Sequence, residues 1–159
     1  MKISVLCVGK IKEKFFTQAI DEYSKRLSRY CSLNIVEVAD EKTIDGASDS
    51  LCEKIKATEG ERLLKKIPED AYVITLEIEG RQLSSTELAD RMSSLFVGGK
   101  SHLVFVIGGS LGLSGEVMKR SDMALSFSKM TFPHQLMRVV LLEQIYRAFR
   151  INAGEPYHK

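Results

Sequence analysis

Leu103-Val104-Phe105-Val106-Ile107-Gly108-Gly109-Ser110-Leu111-Gly112 is an apolar run that ends in glycines. The run reads as a strand, and two readings of the glycines stand side by side. They make a tight turn, or they let main-chain groups come close to a ligand at the carboxyl edge of a parallel sheet, where open α/β folds bind small molecules. Upstream, Ile3 to Val8 is a buried strand closed by Gly9, Leu33 to Val38 a second and Val73 to Ile78 a third. Amphipathic stretches alternate with them. From Lys12 to about Tyr30, the residues Phe15, Phe16, Ala19, Ile20, Tyr23, Leu27 and Tyr30 form one apolar stripe, opposite Lys14, Lys25 and Arg29. Ser50 to Ile67 is a charged helix ended by Pro68, after a polar loop from Asp40 to Ser48. Glu79-Gly80-Arg81 reads as a turn, and Ser84 with Glu87 makes a capping box for a helix from Ser85 to Phe96.

Downstream, the pattern predicts a short helix from Gly115 to Arg120, a strand from Ala124 to Ser128, and a helix from His134 to Ile151 that begins after Pro133. This last helix is apolar over more of its circumference than one core face uses, which predicts burial against a second subunit. Gly154 closes it and Pro156 stops it from resuming. The expectation is an α/β fold, a parallel sheet flanked by helices, in one domain over residues 1–159.

Composition excludes several classes. At 159 residues, with 44% hydrophobic and 28% charged residues and only three prolines, the chain has a core to bury and little room for linkers. Its net charge of +2 demands no anionic partner. Cys7, Cys31 and Cys52 are odd in number and widely spaced, which argues against a disulfide framework and a zinc site, and so for a reducing, cytoplasmic setting with no metal. No apolar stretch approaches the roughly 20 residues of a membrane span, and the N-terminus has the wrong charge order for a signal peptide. Gly98-Gly99-Lys100-Ser101 mimics the end of a P-loop, but it precedes a strand and Ser94 stands where the first glycine belongs. A dinucleotide fingerprint lacks its second and third glycines, although Asp40 and Glu41 sit where a ribose carboxylate would. Zincin and serine-nucleophile signatures are missing.

The C-terminal third carries the remaining signal: Val106-Ile107-Gly108-Gly109, then SKMTFPHQLMRVVLLEQIYRAFRI over residues 128–151, then GEPYHK to the end. These segments resemble the SPOUT-class RNA methyltransferases over essentially the whole chain, and most closely those acting on N-3 of pseudouridine 1915 in 23S rRNA. The resemblance implies a deep C-terminal trefoil knot, S-adenosylmethionine bound in that knot, and a homodimer whose interface builds the active sites on rRNA in assembled ribosomes. It places Leu76, Gly108, Phe127, Ser128, Lys129, Met130, Thr131 and Phe132 against the cofactor. Some members end in arginine where this chain has Lys159, and leucine is common at the position of Phe127.

Read by itself, the segment from Phe127 to Phe132 is an ordinary strand-to-helix connection. Main-chain groups suffice to read adenine, so its lack of acids and bases suits a cofactor loop. His134 is a first-turn helix residue or a substrate contact, and Arg138 reads as a solvated charge. Tyr157, His158 and Lys159 either fray, as chain ends do, or stack on a base and grip phosphate. As catalytic candidates, His158 is the leading proton acceptor, Tyr157 a stacking or hydrogen-bonding partner, and Lys159 a counter-charge. Lys10, Lys12, Lys14, Lys25 and Arg29 form a solvated face or a phosphate-contacting one. A catalytically silent RNA-binding module is the competing class, and only the enzyme binds S-adenosylmethionine.

Overall fold

The computed structural model describes all 159 residues. Its elements alternate as β1 (Lys2–Val8), α1 (Lys14–Leu27), β2 (Ser32–Val38), α2 (Asp49–Leu64), β3 (Tyr72–Gln82), α3 (Ser85–Val97), β4 (His102–Ile107), α4 (Gly115–Arg120), β5 (Met123–Ser126) and α5 (His134–Asn152). The five strands form one sheet in the order β2-β1-β4-β3-β5, and every neighbouring pair is parallel. Alternate residues of each strand serve opposite faces. Ile3, Val5, Cys7, Leu103, Phe105 and Ile107 point into the core shared with α1, α3 and α5. Leu6, Val8, Val104 and Val106 point to the layer that includes Leu63 of α2 and Val117 of α4.

Local signals set several boundaries as expected. Ser84 accepts from the Glu87 amide while the Glu87 carboxylate accepts from the Ser84 amide at 2.7 Å, which closes the capping box. At the end of α5, Gly154 takes φ 67°. Its N–H donates to the Ile151 carbonyl, and the Glu155 N–H donates to that of Arg150. This paired pattern satisfies carbonyls that would otherwise be orphaned and turns the chain back along the helix.

Three expectations are corrected. The Glu79-Gly80-Arg81 segment is no turn: β3 runs on to Gln82 and bulges, so that Leu76 and Arg81 both pair with Leu125. A side chain at Gly80 would lie 2.8 Å from the Leu125 carbonyl carbon, so the glycine admits β5 rather than reversing the chain. The apolar stripe of α1 does not bury Phe15, which is 62% exposed and packs instead on Phe16, with ring centroids 4.5 Å apart. Arg138 is not solvated. It is 1% exposed, its Nη1 lies 2.6 Å from Glu37 Oε2, and its Nη2 donates to the Gly9 carbonyl at 2.6 Å. Position 138 falls on the same helical stripe as Leu141, Leu142, Ile145 and Phe149, all of them buried, so the side chain has nowhere to go but inward.

Candidate functional site

The carboxyl ends of β4, β3 and β5 lie side by side, and the segments leaving them enclose a cleft of about 580 Å³, within the range of small-molecule sites. The bulge in β3 supplies one wall, Leu76 to Glu79, because the extra residues between the two pairings with Leu125 stand off the sheet. The glycine-rich loop supplies another, Ile107 to Leu113. A side chain at Gly108 would meet the Gly112 carbonyl carbon at 2.8 Å, and one at Gly109 would meet Glu59 Oε1 at 3.1 Å. The loop therefore needs its glycines to fold onto itself and onto α2. Behind it Glu59 is buried and accepts from the Glu41 amide at 3.0 Å, and burial raises its carboxyl above the ordinary range.

The third wall follows β5. Phe127, Ser128, Met130, Thr131 and Phe132 line the cleft with His134 and Met137 from the first turn of α5. Of the eight residues expected around a cofactor, seven line this space and Lys129 does not. The Ser128 hydroxyl accepts from the Met130 amide at 3.0 Å, a tight local turn that leaves Lys129 at its exposed outer corner. Sequence reasoning missed Glu77, Ile78 and Glu79, which it had assigned to a strand end and a turn. It also passed over Met118, which lies on α4 and is 43% exposed. Glu77 is held by a 2.5 Å hydrogen bond from Thr75 Oγ1, itself 2.7 Å from the Ser121 hydroxyl.

α5 seats on the carboxyl ends of β1 and β2 through Arg138. Its guanidinium lies beside Cys7, whose thiol burial pushes up to about 12, so that sulfur stays an inert core group. One turn before it, His134 is half-buried, and burial followed by the Arg138 charge lowers its pKa against an opposing pull from Asp40.

The tail lies elsewhere. Tyr157 packs its ring edge-on to Tyr146, with centroids 5.0 Å apart, beneath the Arg147 guanidinium at 4.7 Å. Its hydroxyl donates to Glu143 Oε1 at 3.1 Å, and burial followed by that contact raises the phenol pKa. Upstream, Glu155 accepts from Tyr30 at 2.8 Å and pairs with Arg150 at 2.9 Å, which ties the start of the tail to the turn after α1. His158 Nδ1 lies 3.3 Å from Arg147 Nη1, and Lys159 is exposed. The tail is thus docked rather than frayed, but on the far part of α5. Tyr146 is 12 residues beyond His134, roughly 18 Å along a helix. The three catalytic candidates stay together, and none of them lines the cleft of their own chain.

No group of three or more His, Cys, Asp and Glu side chains is placed to hold a metal, and no helix is long and apolar enough to cross a membrane. The cleft fits S-adenosylmethionine by its chemistry. Its lining is largely apolar with exposed main-chain groups from a glycine loop, and the Glu77 and Glu79 carboxylates complement a cationic ligand.

Comparison with known proteins agrees with this geometry. Residues 1–158 match the family described as "Predicted SPOUT methyltransferase". The chain is 64% identical over all 159 residues, and over the whole of both chains, to the ribosomal RNA large subunit methyltransferase H of Bifidobacterium adolescentis. It is 62% identical at the same full coverage to the protein of that name from Clostridium novyi. Among solved structures it is similar to a probable methylase family protein from Haemophilus influenzae, with a TM-score of 0.54, 13% identity, and coverage of 99% of this chain and 70% of that one, a likeness of fold alone.

Proposed function

The chain belongs to the SPOUT methyltransferase family, whose fold implies a C-terminal knot on this parallel α/β sheet, and we propose that it methylates N-3 of pseudouridine 1915 in 23S rRNA on assembled ribosomes, using S-adenosylmethionine. The observation that carries the reading is the glycine-walled cleft, joined to 64% and 62% identity over the full length with proteins named ribosomal RNA large subunit methyltransferase H. Work on ribosomes sets its place in the cytoplasm. Bound in the cleft, the cofactor supplies an electrophilic methyl group.

The chain's own tasks are to hold the donor and to present the nucleophile. Leu76, Gly108 and the segment from Phe127 to Phe132 would hold the cofactor, mostly through main-chain groups and apolar contact, and would keep water from it. The imide nitrogen of pseudouridine is protonated near neutral pH. Methylation therefore needs a proton acceptor, or a donor or cation that stabilises the imide anion. Tyr157, His158 and Lys159 are the side chains we assign to base and phosphate.

Because those three side chains stand far along α5 from the cleft of their own chain, we assign them to the cleft of a partner subunit in a homodimer. Support comes from apolar residues left uncovered at the cleft end of α5, with Leu136 36%, Phe132 39% and Met130 74% exposed. A binding module without catalysis would need none of this cofactor chemistry. Calorimetry with S-adenosylmethionine, followed by transfer of labelled methyl to ribosomes from cells lacking the modification, tests the function. Binding and transfer at one pseudouridine are expected, and a protein that binds ribosomes but not the cofactor would contradict it.

A further inference from the structure

The side chains that dock the tail also fix which nitrogen of His158 carries a proton. Arg147 donates to Glu143 through Nε at 3.0 Å and through Nη2 at 2.5 Å, and its plane covers the Tyr157 ring. Glu143 is held in turn by Tyr157 Oη at 3.1 Å and Gln144 Nε2 at 2.8 Å. With two of its nitrogens committed, the guanidinium presents Nη1, which lies 3.3 Å from His158 Nδ1. A guanidinium has five N–H groups and no lone pair to offer, so it donates and Nδ1 accepts. A hydrogen bond of that sense assigns the ring proton to Nε2, the nitrogen that no other group of the chain engages.

We propose that Arg147 is a positioning residue that holds His158 as its Nε2–H tautomer, and that His158 serves methyl transfer as a hydrogen-bond donor to the carbonyl oxygen beside the methylated nitrogen, not as the base. The proposal rests on the reading that the tail meets the substrate. With Nδ1 occupied by Arg147 and Nε2 already protonated, the imidazole has no free lone pair for the imide proton. What it offers is a neutral N–H, aimed by a packed support, where the imide anion concentrates charge on its flanking oxygens. The balance is simple. The imide proton passes to solvent water, the nitrogen electron pair forms the bond to the methyl carbon, and the electron pair of the broken carbon–sulfur bond stays on sulfur. His158 ends the cycle with the proton it began with.

The chain has three histidines, so their side-chain resonances are few enough to assign by substitution. Long-range proton–nitrogen correlation spectra of the full-length, nitrogen-15-labelled protein at pH 7 should show His158 in the Nε2–H form. In Arg147→Met that signature should give way to a mixture. A predominant Nδ1–H form in the wild-type protein, or a spectrum unchanged by Arg147→Met, would overturn the positioning role. Ribosome methylation at saturating S-adenosylmethionine tests the donor role. A glutamine carboxamide places an N–H near the position of Nε2–H but is not a base. His158→Gln should therefore stay within about tenfold of wild type, while His158→Ala should lose about 100- to 1000-fold, as for a removed oxyanion donor. Cofactor affinity should be unchanged in both. Glutamine as inactive as alanine, or alanine as active as wild type, would refute the donor role. A wild-type protein silent on ribosomes would instead overturn the methyltransferase reading itself, and that result is visible before any variant is compared.

Discussion

The cleft and the tail are built from opposite materials. The cleft is made of main chain: a bulge, a glycine loop and a strand-to-helix segment bring carbonyls, amides and apolar side chains around a space, with few charged groups among them. The tail is made of side chains, a lattice of Arg147, Glu143, Tyr157, Tyr146 and Arg150 in which almost every polar atom has a partner and the terminal His158 and Lys159 project outward. A site that binds a ready methyl donor needs shape, and a site that activates a poor nucleophile needs aimed polar groups. Damage to the two regions should therefore fail differently.

The largest expected effect follows from deleting Tyr157 to Lys159. Methylation should fall by about 1000-fold or more, the scale of losing an aimed donor together with substrate positioning. S-adenosylmethionine affinity by calorimetry and dimer mass by sedimentation should stay near wild type, because the cleft and the uncovered apolar residues at the start of α5 are built from other side chains. Gly108→Val is the reciprocal break. Its Cβ would press on the Gly112 carbonyl, 2.8 Å away, and the loop must shift. Cofactor binding should weaken by about 10- to 100-fold, matching an overpacking cost of about 1–3 kcal/mol, while ribosome binding persists. If both variants lost affinity and turnover alike, the division between the regions would collapse.

Arg138 sharpens the comparison from between the two, since it anchors the turn of α5 that lends His134 and Met137 to the cleft. Arg138→Met strands the Gly9 carbonyl and leaves Glu37 without its cation. We expect a loss of about 3 kcal/mol in denaturant unfolding, together with weaker cofactor binding. The smallest effect concerns Glu59 behind the glycine loop. Its folded-state pKa is raised by burial, so the stability tied to its protonated form is present below the ordinary carboxylate pKa of 4.5 and is lost as pH rises through the folded value. Glu59→Gln keeps an acceptor for the Glu41 amide. It should raise the melting temperature relative to wild type at pH 8 and change little near pH 4, a trend that thermal scans at both pH values would read.

What was legible in the sequence followed the same division. The capping box at Ser84 and Glu87, the α4 span from Gly115 to Arg120 and the stop at Gly154 depend on neighbours a few residues away, and each reads directly. Glu79-Gly80-Arg81 was misleading because glycine marks both turns and close backbone approach, and the strand that approaches, β5, lies more than 40 residues on. Arg138 was misread as solvated because its partners, Glu37 and Gly9, come from the other end of the chain. The stripe it shares with Leu141, Leu142 and Ile145 is the signal that would have found it. The residues expected at the cofactor, seven of which line the cleft, came from family resemblance, since a loop built mainly of main chain leaves little trace in side-chain identity.

The central claim is that a cleft on one protomer is completed by the tail of another. Mixing Gly108→Val protein with the variant lacking Tyr157 to Lys159, after dissociation and reassociation, tests it directly. If the tail acts across the interface, each mixed dimer holds one intact site, made of the normal cleft of the truncated chain and the tail of its partner. At an S-adenosylmethionine concentration near the wild-type Kd, where the Gly108→Val cleft stays almost empty, the mixture should then recover about a quarter of wild-type methylation, since half the dimers are mixed and half of their sites are whole. If the tail serves the cleft of its own chain, every protomer carries a broken site, and a mixture as silent as its parents would contradict the account.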